Sequence, residues 1–304
     1  MRRHSLTLFD GLLLLMVFIW GTNYSVVKAA LREIPPQAFN ALRMSVASAV
    51  FLAALAWNRL PRIAPGDWLR LAALGVVGHF VYQLFFISGI SRTTASNSSL
   101  IIGCSPVAVS VASALAGHER IPRVQWIGIL LSVAGVYLVV GRAADFGGAS
   151  LAGDLFTMGA VACWAVYTVG SRSLLARYSP LTVTGLTMLA GTALLVPASL
   201  ADVRRLAWGS VPLWAWASLV LSALLALNLA YLIWYTSVQR IGNVRTSAYS
   251  NVIPLVAMAV AIVVLGEPLT APMITGAAAI LSGVAVTRMA VRRQAGSKAA
   301  PSQT

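Results

Sequence analysis

The chain has 304 residues, of which 59% are hydrophobic and only 10% are charged. A soluble domain is roughly 25% charged, so this chain has too few charges to cover a surface that faces water. A net charge of +14 would fit a nucleic-acid partner if the basic residues were clustered, but here they stand singly between apolar runs. The composition therefore predicts an all-α integral membrane protein and excludes a nucleic-acid partner.

Ten stretches without Asp, Glu, Lys or Arg predict ten transmembrane helices, because a helix needs about 20 residues to span a bilayer. Arg43 interrupts the second stretch, which becomes long enough when it is counted from Gln37 to Trp57. The first run continues to Val27 without a cleavage site, so we expect an uncleaved first span. The uncharged stretches are 11–27, 44–58, 71–91, 93–118, 124–141, 155–171, 178–201, 206–239, 246–266 and 268–287.

The basic residues between these stretches predict the orientation of the protein in the membrane. With the N-terminus in the cytoplasm, fifteen Lys and Arg residues fall in cytoplasmic segments and six in outer segments. Cytoplasmic loops of membrane proteins carry such an excess of positive charge. We therefore expect both termini to be cytoplasmic, with a short polar tail over 292–304 that is disordered.

The two halves of the chain share residues at a spacing of 144 residues early in each half and of 148 residues later, which indicates an internal duplication. Because each copy holds five spans, an odd number, the second copy enters the membrane from the opposite side. The predicted organisation is a five-helix repeat over 1–143 followed by an inverted five-helix repeat over 144–291, an architecture typical of transporters. The matched pairs are Trp20 with Trp164, Pro106 with Pro254, Glu119 with Glu267, Gly128 with Gly276, and Gly135 with Gly283.

Several stretches resemble EamA-type proteins of the drug/metabolite transporter superfamily. They include FIWGTNYSVVKAAL at 18–31 and NALRMSVASAVFL at 40–52. In both halves a Pro is followed by a Glu thirteen residues on and by a Gly nine residues after that. The resemblance implies a ten-helix, inverted-repeat exporter of amino acids or related metabolites in the inner membrane, and more narrowly an aromatic or neutral amino-acid exporter. Arg43 departs from the repeat, since the position 144 residues later is Thr187.

Polar and aromatic groups at membrane depth are the candidates for a substrate site. Those on one helix face at i, i+3 and i+4 spacing are the strongest. For each of them the alternative is ordinary packing, a hydrogen-bonded buried histidine, or an arginine that extends to the interface. The candidates are Trp20, Asn23, Tyr24, Arg43, His79, Tyr82, Gln83, Trp164, Tyr167, Asn228 and Tyr231.

Pro106 and Pro254 interrupt the fourth and ninth spans at equivalent points and predict kinks. A kink at this position serves either as a hinge for gating or as a static bend. The sequence alone leaves these two interpretations open.

No carboxylate is expected in the middle of the membrane, and both cysteines fall in apolar runs. The sequence therefore predicts no catalytic residue, no metal and no cofactor. We expect a monomeric carrier that exports small metabolites, neutral or aromatic amino acids first, by alternating access through a central cavity. The alternatives are an exporter of drugs, nucleosides or other metabolites, and an intramembrane enzyme. The expected partners are the small-molecule substrate and the lipid bilayer.

Overall fold

The computed structural model describes residues 8–58, 60–117, 123–141, 148–241, 246, 249–250 and 252–299, and this part of the chain is helical without a strand. The helices of the first half are α1 (Leu8–Ala30), α2 (Pro36–Trp57), α3 (Pro65–Gly75), a π-helical segment (Val76–Val81), α4 (Tyr82–Arg92), α5 (Ala95–Gly103), α6 (Ser105–Leu115) and α7 (Arg123–Gly141).

The second half follows a similar order, with a short helix and a 3-10 turn after α9 and a second π-helical segment after α13. The positions equivalent to α5, 243–251, lie mostly outside the described residues. Its helices are α8 (Gly148–Leu175), α9 (Pro180–Ala198), α10 (Leu200–Arg204), a 3-10 turn (Trp208–Ser210), α11 (Leu213–Leu221), a π-helical segment (Ser222–Leu229), α12 (Ala230–Ile241), α13 (Ile253–Val260), a π-helical segment (Ala261–Leu265) and α14 (Ala271–Ala299).

Local sequence signals set several helix starts. Pro36 and Pro180 occupy the first turns of α2 and α9, where proline is tolerated because its missing N–H has no partner there anyway. Thr94 caps α5, since its side-chain oxygen accepts a hydrogen bond from the backbone N–H of Asn97 at 3.0 Å. Such caps satisfy donors that the helix itself cannot pair.

Seven helical runs within the described residues are long and apolar enough to cross a membrane. Three shorter apolar helices, Trp126–Leu138, Ile253–Leu265 and Ala271–Val286, occupy the positions of the predicted fifth, ninth and tenth spans. The chain is therefore a multi-pass membrane protein, and the count of ten spans stays a prediction. The seven long runs are Leu8–Ala30, Pro36–Trp57, Pro65–Arg92, Ala95–Leu115, Leu151–Leu175, Pro180–Ala198 and Leu213–Arg240.

The third of these runs, Pro65–Arg92, and the last, Leu213–Arg240, are both 28 residues long and lie 148 residues apart. Each contains a π-helical segment, Val76–Val81 in one and Ser222–Leu229 in the other. A π-helical segment adds a residue to a helical turn. Its recurrence at equivalent positions fits the duplication, although nothing in the sequence pattern pointed to it.

Helices α7 and α14 pack against each other through repeat mates. A Cβ atom at Gly135 would lie 2.8 Å from the carbonyl oxygen of Gly276, and one at Gly283 would lie 2.5 Å from the carbonyl oxygen of Gly128. Only glycine lets the two backbones come this close. The reciprocal contacts are those expected beside a pseudo-two-fold axis.

Helix α14 continues to Ala299, so residues 292–299 of the expected disordered tail are helical in this structure. Their sequence includes Arg, Gln, Lys and Ala, which are good helix formers. Residues 300–304 and Glu119, the repeat mate of Glu267, lie outside the described residues.

Candidate functional site

A central cavity of about 610 Å³ lies between the two halves of the protein. Its walls come from helices of both repeats, and eight of the eleven predicted substrate-binding residues line it. Both predicted kink residues line it as well. The predicted residues in the wall are Trp20, Asn23, Tyr24, Arg43, Tyr82, Gln83, Pro106, Trp164, Tyr231 and Pro254.

The structure does not bring His79, Tyr167 and Asn228 to the cavity. The His79 side chain is fully buried, and its Nε2 lies 3.3 Å from the hydroxyl of Tyr167. Asn228 donates to the carbonyl oxygen of Ala47 at 3.0 Å. His79 lies inside the π-helical segment. The wider turn there directs it away from the helix face on which Tyr82 lines the cavity. The predicted i, i+3, i+4 face assumed an α-helix throughout.

Arg43 on α2 lies in the cavity wall and is only 1% exposed, so it does not extend to the membrane interface. Its Nη2 donates to Oε1 of Gln83 at 2.7 Å, and its Nη1 donates to Oγ of Ser222 at 3.2 Å. The rings of Phe39 and Phe86 lie 5.5 and 5.8 Å from its Cζ. In the described part of the chain, no carboxylate forms a salt bridge with this guanidinium, and its Nε has no hydrogen-bond partner.

The groups that hold Arg43 are themselves fixed by other side chains. Asn40 donates to the backbone oxygen of Gln83 at 3.1 Å, and Ser222 donates to Oδ1 of Asn23 at 2.6 Å. A hydroxyl can donate one hydrogen bond while it accepts another, so Ser222 links Asn23 to Arg43. Sequence reasoning missed Ser222, which stands in a long apolar run without any motif around it.

Four aromatic side chains form a second group in the wall, which we call the aromatic box: Trp20, Trp164, Tyr231 and Trp234. The ring centroid of Trp20 lies 6.2, 5.7 and 5.7 Å from those of the other three, in that order. The indole Nε1 of Trp20 donates to the backbone oxygen of Ala226 at 3.0 Å, which fixes its ring. Trp234 was not predicted, although its position three residues after Tyr231 places it on the same helix face.

The cavity reaches water at one end of the bundle. Its wall continues there to Arg172, Ala176 and Gln239, and these three residues are exposed. Nearby in the chain, Arg177 pairs with Asp67 through two contacts of 2.7 and 2.8 Å. This ion pair joins the two halves at the open end.

The opposite end is closed by polar contacts around the turn between α4 and α5. The carboxylate of Glu267, in the second half, accepts hydrogen bonds from the backbone N–H of Ala95 at 2.7 Å and from the N–H and hydroxyl of Ser96 at 3.0 and 2.6 Å. Lys28 donates to the carbonyl oxygen of Thr93 at 2.6 Å and to two neighbouring carbonyls. The carboxylate of Asp154 accepts from the hydroxyl of Thr93 at 2.6 Å. Three charged side chains from three different segments thus hold one turn.

The EamA-like transporter family model matches this chain twice, over residues 8–141 and 151–289. An uncharacterized transporter of Archaeoglobus fulgidus is 29% identical over 272 residues, which cover 90% of this chain and 95% of the relative. A probable terminal-alkyne amino-acid exporter of Streptantibioticus cattleyicolor is 28% identical over 93% of this chain and 94% of its own length.

A solved crystal structure superposes with a TM-score of 0.68 at 21% identity and covers 95% of this chain and 100% of that chain. At this identity the likeness concerns the fold alone. The two family matches together span nearly all of the described residues, one match to each half. The chain is a membrane transporter that belongs to the EamA-like transporter family.

Proposed function

We propose that this transporter exports small metabolites, with neutral and aromatic amino acids as its main substrates, by alternating access through the central cavity. The observation that carries the proposal is the cavity wall, in which repeat mates from the two halves face one shared space. Trp20 and Trp164 are 144 residues apart, and Gln83 and Tyr231 are 148 residues apart. In inverted-repeat transporters the substrate site lies at the interface of the repeats.

The two ends of the cavity support alternating access. The end at Arg172 and Gln239 is exposed, whereas the end at Ser96 and Glu267 is closed by hydrogen bonds between the halves. A carrier that opens one end at a time passes through such a state. Pro106 and Pro254 line the cavity between the two ends and stand in the first turns of α6 and α13. We assign them as the hinges, because a proline cannot donate the hydrogen bond that would continue its helix into the preceding segment.

In the proposed arrangement the seven long and three shorter apolar helices make ten spans, in two inverted repeats over 1–143 and 144–291. The excess of basic residues then places both termini in the cytoplasm, and the open end faces the cytoplasm. The protein would work as a monomer in the inner membrane. Substrate enters from the cytoplasm and leaves when the opposite end opens.

The size and lining of the cavity favour a small amphipathic substrate. Its volume of about 610 Å³ falls within the range of roughly 300 to 1,000 Å³ typical of small-molecule sites. The aromatic box offers ring faces and edges to an apolar side chain, while Asn23 and Gln83 offer polar contacts. The relative named a probable terminal-alkyne amino-acid exporter supports amino acids as the substrate class.

Counterflow in proteoliposomes tests this proposal. Purified protein is reconstituted with unlabelled neutral amino acids inside, and uptake of radiolabelled leucine, phenylalanine and tryptophan is measured against concentration. We expect saturable uptake, and we expect the Trp20→Ala variant to lower its initial rate about tenfold because the box loses its central ring.

Trp214→Ala is the matched control, because Trp214 is 46% exposed and does not line the cavity; its uptake should equal that of the unmodified protein. Absence of saturable uptake for every amino acid, with or without a pH gradient, would overturn the amino-acid assignment. A nucleoside panel in the same vesicles then tests the alternative substrates.

A further inference from the structure

We propose that the cavity recognises its substrate through the carboxylate alone, with Arg43 as the anchor, and makes no demand for an ammonium group. The substrates are then organic monocarboxylates with an apolar or aromatic body, including 2-oxo acids and N-acylated amino acids as well as free amino acids. This inference rests on the proposed function and names the chemical class that its site accepts.

The first argument is the uncompensated charge of Arg43. A buried charge is costly unless it is paired, and the cost is greater inside a membrane. The contacts of Arg43 are an amide oxygen, a hydroxyl and two ring faces, all of them neutral. Its Nε is buried without a partner. A carboxylate bound beside the guanidinium would supply both the missing charge and the missing acceptor.

The second argument is the absence of an opposite site for a cation. Among the described residues that line the cavity there is no Asp or Glu, and the two charged ones, Arg43 and Arg172, are both positive. The amide oxygens nearest the anchor each accept one hydrogen bond already, since Oε1 of Gln83 accepts from Arg43 and Oδ1 of Asn23 accepts from Ser222, and both are neutral. An ammonium group would therefore meet no counter-charge in the described wall and would be repelled by the anchor.

The third argument is the continuity of the wall from the anchor to the aromatic box. The Phe86 ring beside Arg43 stacks on Tyr82 with centroids 6.0 Å apart and planes 4° apart. The Tyr82 ring in turn lies 5.9 Å from that of Trp164 in the box. A molecule with a carboxylate at one end and a ring at the other can therefore touch both groups at once. The amino group of an amino acid is an additional substituent that this wall tolerates without recognising.

A competition series isolates each group of the substrate. Counterflow of radiolabelled L-phenylalanine is challenged with unlabelled L-phenylalanine, N-acetyl-L-phenylalanine, phenylpyruvate and phenethylamine. We expect the three carboxylates to compete within about threefold of one another and phenethylamine to compete at least about tenfold more weakly, because only the carboxylates pair with Arg43. Phenethylamine also tests the possibility that the box holds the amine as a cation over its rings.

Arg43→Gln should weaken competition by all three carboxylates about tenfold or more and remove their advantage over phenethylamine. Arg62→Gln is the control, because Arg62 is an exposed residue outside the cavity. Arg43→Lys keeps the charge and should retain a preference for carboxylates over phenethylamine. If the Gln variant does not fold, the series on the unmodified protein and on the Lys variant decides the question.

Equal competition by phenethylamine would overturn the inference, as would failure of N-acetyl-L-phenylalanine and phenylpyruvate to compete when L-phenylalanine does. Quenching of intrinsic tryptophan fluorescence by the same compounds separates recognition from transport. Selective binding of the carboxylates without any flux would contradict the proposed function and leave the inference standing. If the protein shows no flux and no binding of these compounds, both the proposed function and this inference are overturned.

Discussion

The surroundings of Arg43 in the first half and of Thr187 in the second half differ sharply, although the two residues are repeat mates. Arg43 faces the cavity with a full charge and polar neighbours. Thr187 is fully buried, and its hydroxyl lies 3.0 Å from that of Tyr167, which is the repeat mate of Asn23. Asn23 is a small amide that is linked to Arg43 through the hydroxyl of Ser222. Its repeat mate Tyr167 carries a large ring instead.

The space available to that ring depends on a glycine. Ser222 stands beside Asn23, whereas Gly78 stands beside Tyr167, where a Cβ atom would overlap the Tyr167 ring. The glycine therefore lets Tyr167 fill the pocket that is polar in the other half. The two equivalent positions therefore have different roles: Tyr167 packs against Thr187 in the protein interior, whereas Asn23 belongs to the polar group around Arg43 in the cavity wall.

Exchanging the residues between these pockets should have the largest effect. Thr187→Arg places an unpaired charge among Tyr167 and its neighbours, which should cost about 3 to 5 kcal/mol of folding free energy. We expect loss of monodisperse protein in size-exclusion chromatography of detergent extracts. Arg43→Thr, the reverse exchange, removes a buried charge and should remain folded. Equal yields of the Thr187→Arg variant and the unmodified protein would contradict the assignment of this pocket to packing.

A carboxylate placed beside Arg43 should have the next largest effect. Gln83→Glu would put an internal counter-charge where the amide oxygen now lies 2.7 Å from Nη2. It should weaken binding of carboxylate substrates about tenfold, because the anchor is already neutralised. The measurement is the concentration of L-phenylalanine that half-inhibits counterflow. Gln37→Glu is the control, since the Gln37 side chain donates a hydrogen bond to Ser88 outside the cavity wall. Tighter binding in the Gln83→Glu variant would count against Arg43 as the carboxylate anchor.

The smallest expected effect concerns the packed pocket. Tyr167→Phe removes a hydroxyl that lies 3.0 Å from Oγ1 of Thr187 and 3.3 Å from Nε2 of His79. We expect a loss of about 1 kcal/mol in stability, seen as a small drop in the melting temperature, with substrate preference unchanged. Tyr137→Phe, at a 74% exposed position, should change neither quantity. A shift in substrate preference in the Tyr167→Phe variant would show that the pocket around Tyr167 and Thr187 contributes to substrate recognition.

Helical spacing and repeat matching identified eight binding residues and two prolines of the cavity wall. Trp20 and Trp164 stood out as repeat mates, and Tyr231 as a polar aromatic residue inside an apolar span. Arg43 was recognisable as a basic residue within an apolar span. Ser222 and Gly78 carry no such signal, since a single small residue in a long apolar run looks like any other. His79 was grouped with Tyr82 because a π-helical turn has no recognisable sequence pattern. Local periodicity therefore predicts which helices meet, while the direction of each side chain depends on the exact helical turn.

The π-helical segments have a consequence for the angular phase of the helices that follow them. A π-helical turn holds one residue more than an α-helical turn, so the removal of one residue from Val76–Val81 would restore a plain α-helical turn and keep Tyr82 and Gln83 close to their present direction. The removal of one residue from α4 itself would instead turn every residue beyond it by about 100°. The segment Ser222–Leu229 absorbs an extra residue before Tyr231 and Trp234 in the same way. In these two helices the π-helical segment is therefore the position that tolerates a length change of one residue.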